Sequence, residues 1–191
     1  SKLSEVGMSD RYTVKAIYPH PDYDNDLVVN DLALLRLGEA IPAAIAKPLP
    51  WLENSNLPLD GSPIFKSGWG SSNHIDDGPF PDELQTVTVN VLGDPGYNFC
   101  GTDSLFDSET RICTGSPVQK GACSGDSGGP NIVSDNGYWY LAGVTSYGMT
   151  GPDNLCGNDV DVATRVSSYT DWIVSHVGYQ WTWVTGITDT S

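Results

Sequence analysis

A serine that could act as a nucleophile lies in the stretch KGACSGDSGGP, residues 120–130. Ser127 stands there between an aspartate and two glycines, a setting that suits a nucleophile. A serine hydroxyl attacks other groups at neutral pH only if a neighbouring base activates it. The stretch therefore predicts a nucleophile, and it requires a base elsewhere in the molecule.

The elements that must position this serine are predicted to be β-strands. In LQTVTVNVL (84–92), Val87, Val89 and Val91 alternate with polar residues, and YWYLAGVTSY (138–147) is a second run rich in aromatic and β-branched residues. Such short runs recur between frequent glycines and prolines, whereas helix-period patterns are scarce. The 191-residue chain is thus predicted to be an all-β sandwich or barrel protein with a hydrophobic core.

A helix is predicted near the end of the chain, over SYTDWIVSHV, residues 168–177. Its aromatic and apolar side chains recur at helical spacing, at Tyr169, Trp172, Ile173, His176 and Val177. Ser168 together with Asp171 is expected to form the N-terminal cap. The tail that follows contains two tryptophans, which we expect to cover apolar surface.

Charge and composition exclude several kinds of partner. The formal net charge is −15, so the surface repels phosphate backbones and no nucleic-acid partner is expected. The acidic residues are scattered, as is typical of a solvated surface. No run of 18 apolar residues occurs, so no membrane-spanning segment is expected. Because the sequence has no signal-peptide pattern, we expect position 1 to be a processed end.

Four cysteines, Cys100, Cys113, Cys123 and Cys156, bear on the compartment. An even number in a chain of this kind predicts two disulfides and an oxidising environment, with free thiols or a zinc site as the alternatives. A zinc site is disfavoured because the sequence contains no C-x-x-C pair. We therefore expect neither a metal nor another cofactor.

Several segments in a fixed order connect this chain with a known family. NDLALLRL (30–37), SGWG (67–70), GDSGGP (125–130) and VTSYG (144–148) together resemble the trypsin/chymotrypsin family of serine endopeptidases. The resemblance covers about residues 10–177 and implies an all-β fold of two six-stranded β-barrels with a C-terminal helix. The implied divisions are 1–42 for the C-terminal part of the first barrel, 43–61 for a connector, 62–166 for the second barrel, 167–178 for the helix and 179–191 for a tail.

The resemblance also implies roles for individual residues. Ser127 would attack the scissile carbonyl, and Asp31 would orient a histidine and stabilise its imidazolium. The backbone N–H groups of Gly125 and Ser127 would form the oxyanion hole. Asp126 would act as an activation switch by pairing with a new N-terminal ammonium. For Asp31 the alternative is a helix cap or a surface aspartate.

The substrate pocket is where the sequence departs from trypsin. Trypsin has an aspartate at its pocket floor, but the matching position here is Gly121, followed by Ala122. The alignment of VDVATRV (160–166) instead places Asp161 on the opposite wall of the same pocket. This arrangement resembles that of crab collagenase and implies cleavage after Arg or Lys, with secondary cleavage after bulky apolar residues. The alternative is that Asp161 is one of several surface acids.

Other substrate contacts are implied for residues 146–148. Ser146 would hydrogen-bond the catalytic aspartate and offer its carbonyl to the substrate. Gly148 would line the pocket and pair with the extended substrate strand, with Tyr147 between the two.

The cysteines fit the same family. The resemblance implies the pairs Cys100–Cys113 and Cys123–Cys156. A further bridge of the family is absent, because Ile64 and Val133 occupy its two positions.

The expected catalytic histidine is missing from its place before Asp31. His20 lies in YPHPDYD, too close to Asp31, while His74 and His176 lie after it in the chain. Residues 1–42 are also too few to close a barrel, and open edges would be unstable. We therefore predict a non-covalently bound light chain of about fifty residues that carries the histidine and completes the first barrel.

Taken together, these inferences predict a secreted, zymogen-derived, two-chain serine protease acting on protein substrates. An acidic protease of this form also resembles the earthworm fibrinolytic enzymes. The alternative is a catalytically inactive homologue that acts as a binding module.

Overall fold

A computed structural model describes residues 2–72, 78–93, 100, 106–116, 120–148, 156 and 160–177. The tail 179–191 and His74 lie outside these ranges. The β-strands are β1 (Val14–Pro19), β2 (Ala33–Leu37), β3 (Pro63–Gly68), β4 (Gln85–Val91), β5 (Arg111–Gly115), β6 (Pro130–Asp135), β7 (Tyr138–Gly148) and β8 (Val160–Arg165). A 3₁₀ turn (Val166–Tyr169) then leads into the helix α1 (Thr170–Val177), and two short 3₁₀ turns (Leu3–Glu5 and Met8–Asp10) precede β1.

Strands β3 to β8 form one closed, antiparallel six-stranded barrel in the order β3-β4-β5-β8-β7-β6. Its interior follows from the alternation of side chains along each strand. On β4 Val89 and Val91 are buried, whereas the alternating polar residues Thr86, Thr88 and Asn90 are exposed, as the sequence predicts. The core of the barrel is a cluster of buried apolar residues: Leu52, Ile64, Val89, Val91, Ile112, Val133, Ala142 and Ala163.

Strands β1 and β2 form a separate two-stranded antiparallel sheet. Several of its apolar side chains face solvent, with Ile17 65% and Leu35 57% exposed. Of the two barrels that the resemblance implies, the described residues thus contain one closed barrel and, before it, this two-stranded sheet.

The C-terminal helix joins the two parts. Val166, Tyr169 and Ile173 form a buried cluster against which residues of β2, the connector and β7 pack, among them Leu34 and Leu141. This packing fixes the loop before β2 against the barrel.

The predicted cap of this helix is wrong. The Ser168 hydroxyl donates a hydrogen bond to the backbone carbonyl of Glu109, so it is engaged with the loop before β5. The chain enters α1 through the 3₁₀ turn, in which the Thr170 hydroxyl donates to the Ser167 carbonyl at 3.0 Å. A side-chain contact distant in sequence therefore overrides the local capping pattern.

Two disulfides, Cys100–Cys113 and Cys123–Cys156, are present, and the structure contains no free cysteine. The first lies in a second buried cluster with Val160 and Val162. Ile64 and Val133 are both buried in the barrel core. They follow the β3–β6 register, in which Phe65 pairs with Ile132, so apolar side chains fill the two positions at which the resemblance implies a bridge in the family.

In the portion of the chain that the structure describes, no helix combines the length and apolar character needed to cross a membrane.

Candidate active site

Asp31 is held in place by a loop whose backbone is unusual. Val28 and Asn30 have positive φ angles of 48° and 54°, a region that β-branched residues rarely adopt. Arg111 at the start of β5 donates from Nη2 to the carbonyls of Leu27 and Val28, at 3.0 and 2.8 Å. These bonds tie the loop to the barrel and offset the cost of its conformation.

Asn30 completes this support. Its Nδ2 donates to the Asp22 carbonyl at 2.8 Å, and its Oδ1 accepts a hydrogen bond from the Tyr169 hydroxyl at 2.9 Å. Burial raises the pKa of Tyr169, so this hydroxyl keeps its proton as a donor at neutral pH. The residue before Asp31 is thus fixed both by its own loop and by the 3₁₀ turn that precedes α1.

The carboxylate of Asp31 meets strand β7. Ser146 donates from Oγ to Asp31 Oδ2 at 2.6 Å, and Thr164 on β8 donates from Oγ1 to the Asp31 backbone carbonyl at 2.8 Å. The barrel therefore orients Asp31, although Asp31 itself lies in the loop between β1 and β2.

The loop carrying Ser127 is fixed to Thr145, which precedes Ser146 on β7. The Gly128 N–H donates to the Thr145 carbonyl at 2.8 Å, and the Thr145 N–H donates to the Gly129 carbonyl at 2.9 Å. Two consecutive residues of β7, Thr145 and Ser146, thus bind the serine loop and the aspartate. The loop of Ser127 and the carboxylate of Asp31 are therefore attached to adjacent residues of one strand.

The Ser127 loop also presents donors. Gly125 has a φ of +97°, which only glycine adopts readily, and both Gly125 and Ser127 are exposed. Within the described ranges, neither of their backbone N–H groups donates to a protein acceptor. These N–H groups are available to an oxygen bearing negative charge.

Asp126 turns away from Ser127 into the protein. Its Oδ1 accepts the Gly70 N–H at 2.8 Å, and its Oδ2 accepts the Cys123 N–H at 3.0 Å. It lines a cavity of about 460 Å³, together with Lys66, Lys120 and others. A cation entering this cavity would reach a carboxylate whose position is already fixed.

Asp161 is buried on β8, behind residues 121–122 of the serine loop. Its Oδ2 accepts the Ala122 N–H at 2.8 Å, and a Cβ on Gly121 would lie only 2.5 Å from this oxygen. On its other side, Gly148 pairs with Asp161 across β7 and β8. Gly121, Ala122 and Gly148 therefore surround the carboxylate, so it is an internal group rather than one of several surface acids.

Lys66 on β3 is an unexpected neighbour of this carboxylate. Its Nζ lies 3.2 Å from Asp161 Oδ2, and the two side chains are only 5% and 6% exposed. Burial lowers the pKa of Lys66, while the charges of Asp161 and Asp126 counteract that shift. Burial likewise raises the pKa of Asp161, against the opposing effects of Lys66 and the Ala122 N–H. Each group thus reduces the cost of burying the other.

Tyr147 lies between Ser146 and Gly148 on β7. The guanidinium of Arg111 is 5.6 Å from its ring centroid, and Arg111 Nη1 lies 3.3 Å from its hydroxyl. Arg111 therefore supports both the Asp31 loop and strand β7.

The described histidines make other contacts. The His20 ring packs on Tyr169 and Trp172, with centroid distances of 5.2 and 5.0 Å. His176 packs on Tyr18 and Trp172 and contacts the Trp172 carbonyl. In the part of the chain that the structure describes, neither ring contacts Asp31 or Ser127.

Sequence reasoning missed Lys66, Arg111 and Tyr169. For Lys66 a signal was present: in PIFKSG it is two residues from Ile64 and therefore on the same, inward face of a strand. A lysine in that phase requires a buried acidic partner. Arg111 and Tyr169 act through contacts with distant loops, for which local sequence gives no signal.

No three His, Cys, Asp or Glu side chains among the described residues are placed to share a metal ion.

Comparison with known proteins places the chain in context. The family model described as Trypsin matches residues 3–173. Trypsin-1 of Astacus astacus is 37% identical over 176 residues, which cover 87% of this chain and 68% of that protein. Chymotrypsin-C of Bos taurus is 36% identical over 166 residues, covering 84% of this chain and 59% of that protein.

An inactive relative is also similar. The protein named Inactive CLIP domain-containing serine protease A3, from Aedes aegypti, is 30% identical over 187 residues, covering 93% of this chain and 38% of that protein. The chain therefore spans from 38% to 68% of the length of these three relatives.

Proposed function

Because this chain belongs to the trypsin family of serine proteases, we propose that it carries the nucleophile and the aspartate of a secreted serine endopeptidase. The trypsin fold implies a second barrel beside the one described here, with the active site between them. The observation that carries the proposal is the pair of consecutive residues on β7: Thr145 binds the loop of Ser127, and Ser146 binds the carboxylate of Asp31.

In the proposed reaction, the Ser127 hydroxyl attacks the scissile carbonyl of a protein substrate while a histidine takes its proton. The carbonyl oxygen becomes an oxyanion that accepts hydrogen bonds from the N–H groups of Gly125 and Ser127. The histidine returns the proton to the leaving amine, and water then hydrolyses the acyl-enzyme by the same steps. Asp31 orients the imidazole and stabilises its charged form.

Cleavage is proposed after Arg or Lys, and secondarily after bulky apolar residues. The buried carboxylate of Asp161 supports the first preference, since a substrate cation would compensate its charge. The small residues Gly121, Ala122 and Gly148 around it leave room for a large side chain. Ser146 and Gly148 would pair with the substrate backbone.

Asp126 is proposed to switch the enzyme on. A new N-terminal ammonium would enter the cavity of about 460 Å³ and pair with the carboxylate that the Gly70 and Cys123 N–H groups hold. Such pairing would fix the adjacent oxyanion donors in place.

The histidine is proposed to come from outside these 191 residues, on a separate light chain of about fifty residues. The support is twofold: the described histidines contact neither Asp31 nor Ser127, and the sheet β1–β2 exposes Ile17 and Leu35. Further strands from the light chain would cover this apolar surface and complete the first barrel.

Covalent labelling tests the reactivity of Ser127. We expect a fluorophosphonate to label Ser127 in the native protein at a rate that an unactivated serine does not approach. Peptide mapping identifies the labelled residue, and Ser127→Ala is the matched control. Labelling no faster than that of the denatured protein would contradict the proposal.

Mass spectrometry tests the light chain. Denaturing the native protein without reductant should release a second polypeptide that contains a histidine, because all four cysteines pair within this chain. If the histidine belongs to a continuous polypeptide, or if the 191 residues are active alone, the two-chain form is wrong.

The inactive relative from Aedes aegypti favours one alternative, a homologue that binds proteins without cleaving them. It predicts a residue other than histidine in the catalytic position of the companion segment, and slow labelling of Ser127.

Secretion is proposed from the two disulfides. The resemblance to earthworm fibrinolytic enzymes makes fibrin a protein substrate to test.

A further inference from the structure

Lys66 is a charged side chain in an almost fully buried position. It lies on the inward face of β3, two residues after the fully buried Ile64, and its side chain is 5% exposed. Among the described residues, Lys66 and Asp161 form the only ion pair with both partners buried. A lysine is placed there at a considerable desolvation cost, so its charge has a specific partner.

That partner is the carboxylate assigned to the substrate pocket. Lys66 Nζ and the Ala122 N–H both bind Asp161 Oδ2, at 3.2 and 2.8 Å. The other oxygen, Oδ1, points towards Gly148, where an added Cβ would lie 3.3 Å from it. One oxygen of Asp161 is thus held by the protein, and the other faces the strand along which the substrate is proposed to bind.

We propose that Lys66 is a specificity-determining residue, whose ammonium neutralises Asp161 in the place of a substrate cation and so weakens the preference for Arg and Lys over apolar residues. The inference rests on the proposed function, since it concerns the pocket of that enzyme. It also gives the secondary cleavage after apolar residues a physical cause.

The net charge around Asp161 differs before and after a substrate side chain binds. With Lys66 present, the buried pair is neutral, so an apolar side chain enters without leaving a carboxylate unpaired. An arginine side chain would add a second cation beside one carboxylate, and its own desolvation is only partly compensated. Without Lys66, the carboxylate would be unpaired until a substrate cation arrived, and the preference for Arg would rise.

The test replaces Lys66 by methionine, which keeps the length of the side chain and removes its charge. In the complete active enzyme, including any light chain, kcat/KM is measured with two peptide substrates that differ only in arginine or phenylalanine before the cleaved bond. We expect the Arg-to-Phe ratio to rise by about tenfold or more in Lys66→Met, the size typical of close buried charge pairs. Lys47→Met, at an exposed site in the connector, should leave the ratio unchanged.

A binding measurement gives a readout that does not need catalysis. The fluorescent cation p-aminobenzamidine should bind Lys66→Met with a Kd lower by about tenfold or more than that of the unmodified protein. If Ser127 proves unreactive, the proposed enzyme fails, but this change in Kd still tests the role of Lys66.

Two further variants keep the test valid if Lys66→Met does not fold. Lys66→Gln keeps a donor for Asp161 Oδ2 without the charge, so it should give a change of the same sign if Lys66→Met is unstable. When Lys66→Met is combined with Asp161→Asn, the increase in the Arg-to-Phe ratio and the decrease in Kd should both disappear. An unchanged or higher Kd and an unchanged Arg-to-Phe ratio in the folded single variants would overturn the proposal.

Discussion

Replacing Asp31 by asparagine is expected to lower kcat by about 10⁴-fold, with a much smaller change in KM. The carboxylate is oriented by Ser146 through a bond of 2.6 Å, so the side chain should keep its position in Asp31→Asn. An amide in that position can donate to the imidazole instead of accepting from it, which favours the wrong tautomer for taking the proton of Ser127. The loss therefore concerns the chemical step rather than binding.

This prediction is measured with the complete enzyme on a peptide substrate, after the fraction of folded protein is matched by circular dichroism. Asp22→Asn is the control, because Asp22 is exposed in the same loop and contributes its backbone carbonyl to Asn30. Retention of more than about a tenth of kcat in Asp31→Asn would remove Asp31 from the proposed triad.

Replacing Asp161 by asparagine is expected to lower kcat/KM for arginine substrates by about 10³-fold. The change removes the carboxylate and leaves the Lys66 ammonium buried without a counter-charge. A substrate cation would then meet a positive charge at the base of the pocket, whereas phenylalanine substrates lose no charge partner. The same substitution should reduce the free energy of unfolding by about 3–5 kcal/mol, the usual cost of leaving one member of a buried pair alone.

The measurement combines kinetics on both substrates with denaturant unfolding. Asp171→Asn, which removes an exposed carboxylate on α1, serves as the control for net charge. Adding Lys66→Met to Asp161→Asn should recover most of the lost stability, because no unpaired charge then remains. Arginine cleavage at the original rate in Asp161→Asn would contradict the placement of this carboxylate in the pocket.

The sequence predicted those features that depend on local pattern. The alternation of β4 shows which valines enter the barrel, and the extent of β7 follows from its aromatic and β-branched run. The segments NDLALLRL, SGWG, GDSGGP and VTSYG pointed to the family because a motif is local by nature. The matched family model supports that assignment.

Contacts between distant residues could not be predicted in this way. Lys66 and Asp161 are separated by 95 positions, and nothing near either residue specifies the other. The same holds for Ser168, whose hydroxyl binds the carbonyl of Glu109 although the local pattern predicts a cap. Such pairs are set by the closure of the barrel, which brings strands remote in sequence side by side.

The division between the domains, the catalytic roles and the light chain stay predictions. The catalytic roles of Asp31 and Ser127 depend on a histidine that neither of the described histidine rings supplies. The assignment of Asp31 and Ser127 to one site has the firmest support, because β7 binds both of their loops.

The apolar packing of Ile64 and Val133 in the barrel core affects how this protein would respond to reduction. The core between β3 and β6 contains no bond that a thiol can break. Of the two disulfides, Cys123–Cys156 holds the loop that carries Ser127, and Cys100–Cys113 attaches to β5. We therefore expect reductant to loosen the Ser127 loop and the buried cluster around Cys113, while the apolar packing between β3 and β6 stays intact.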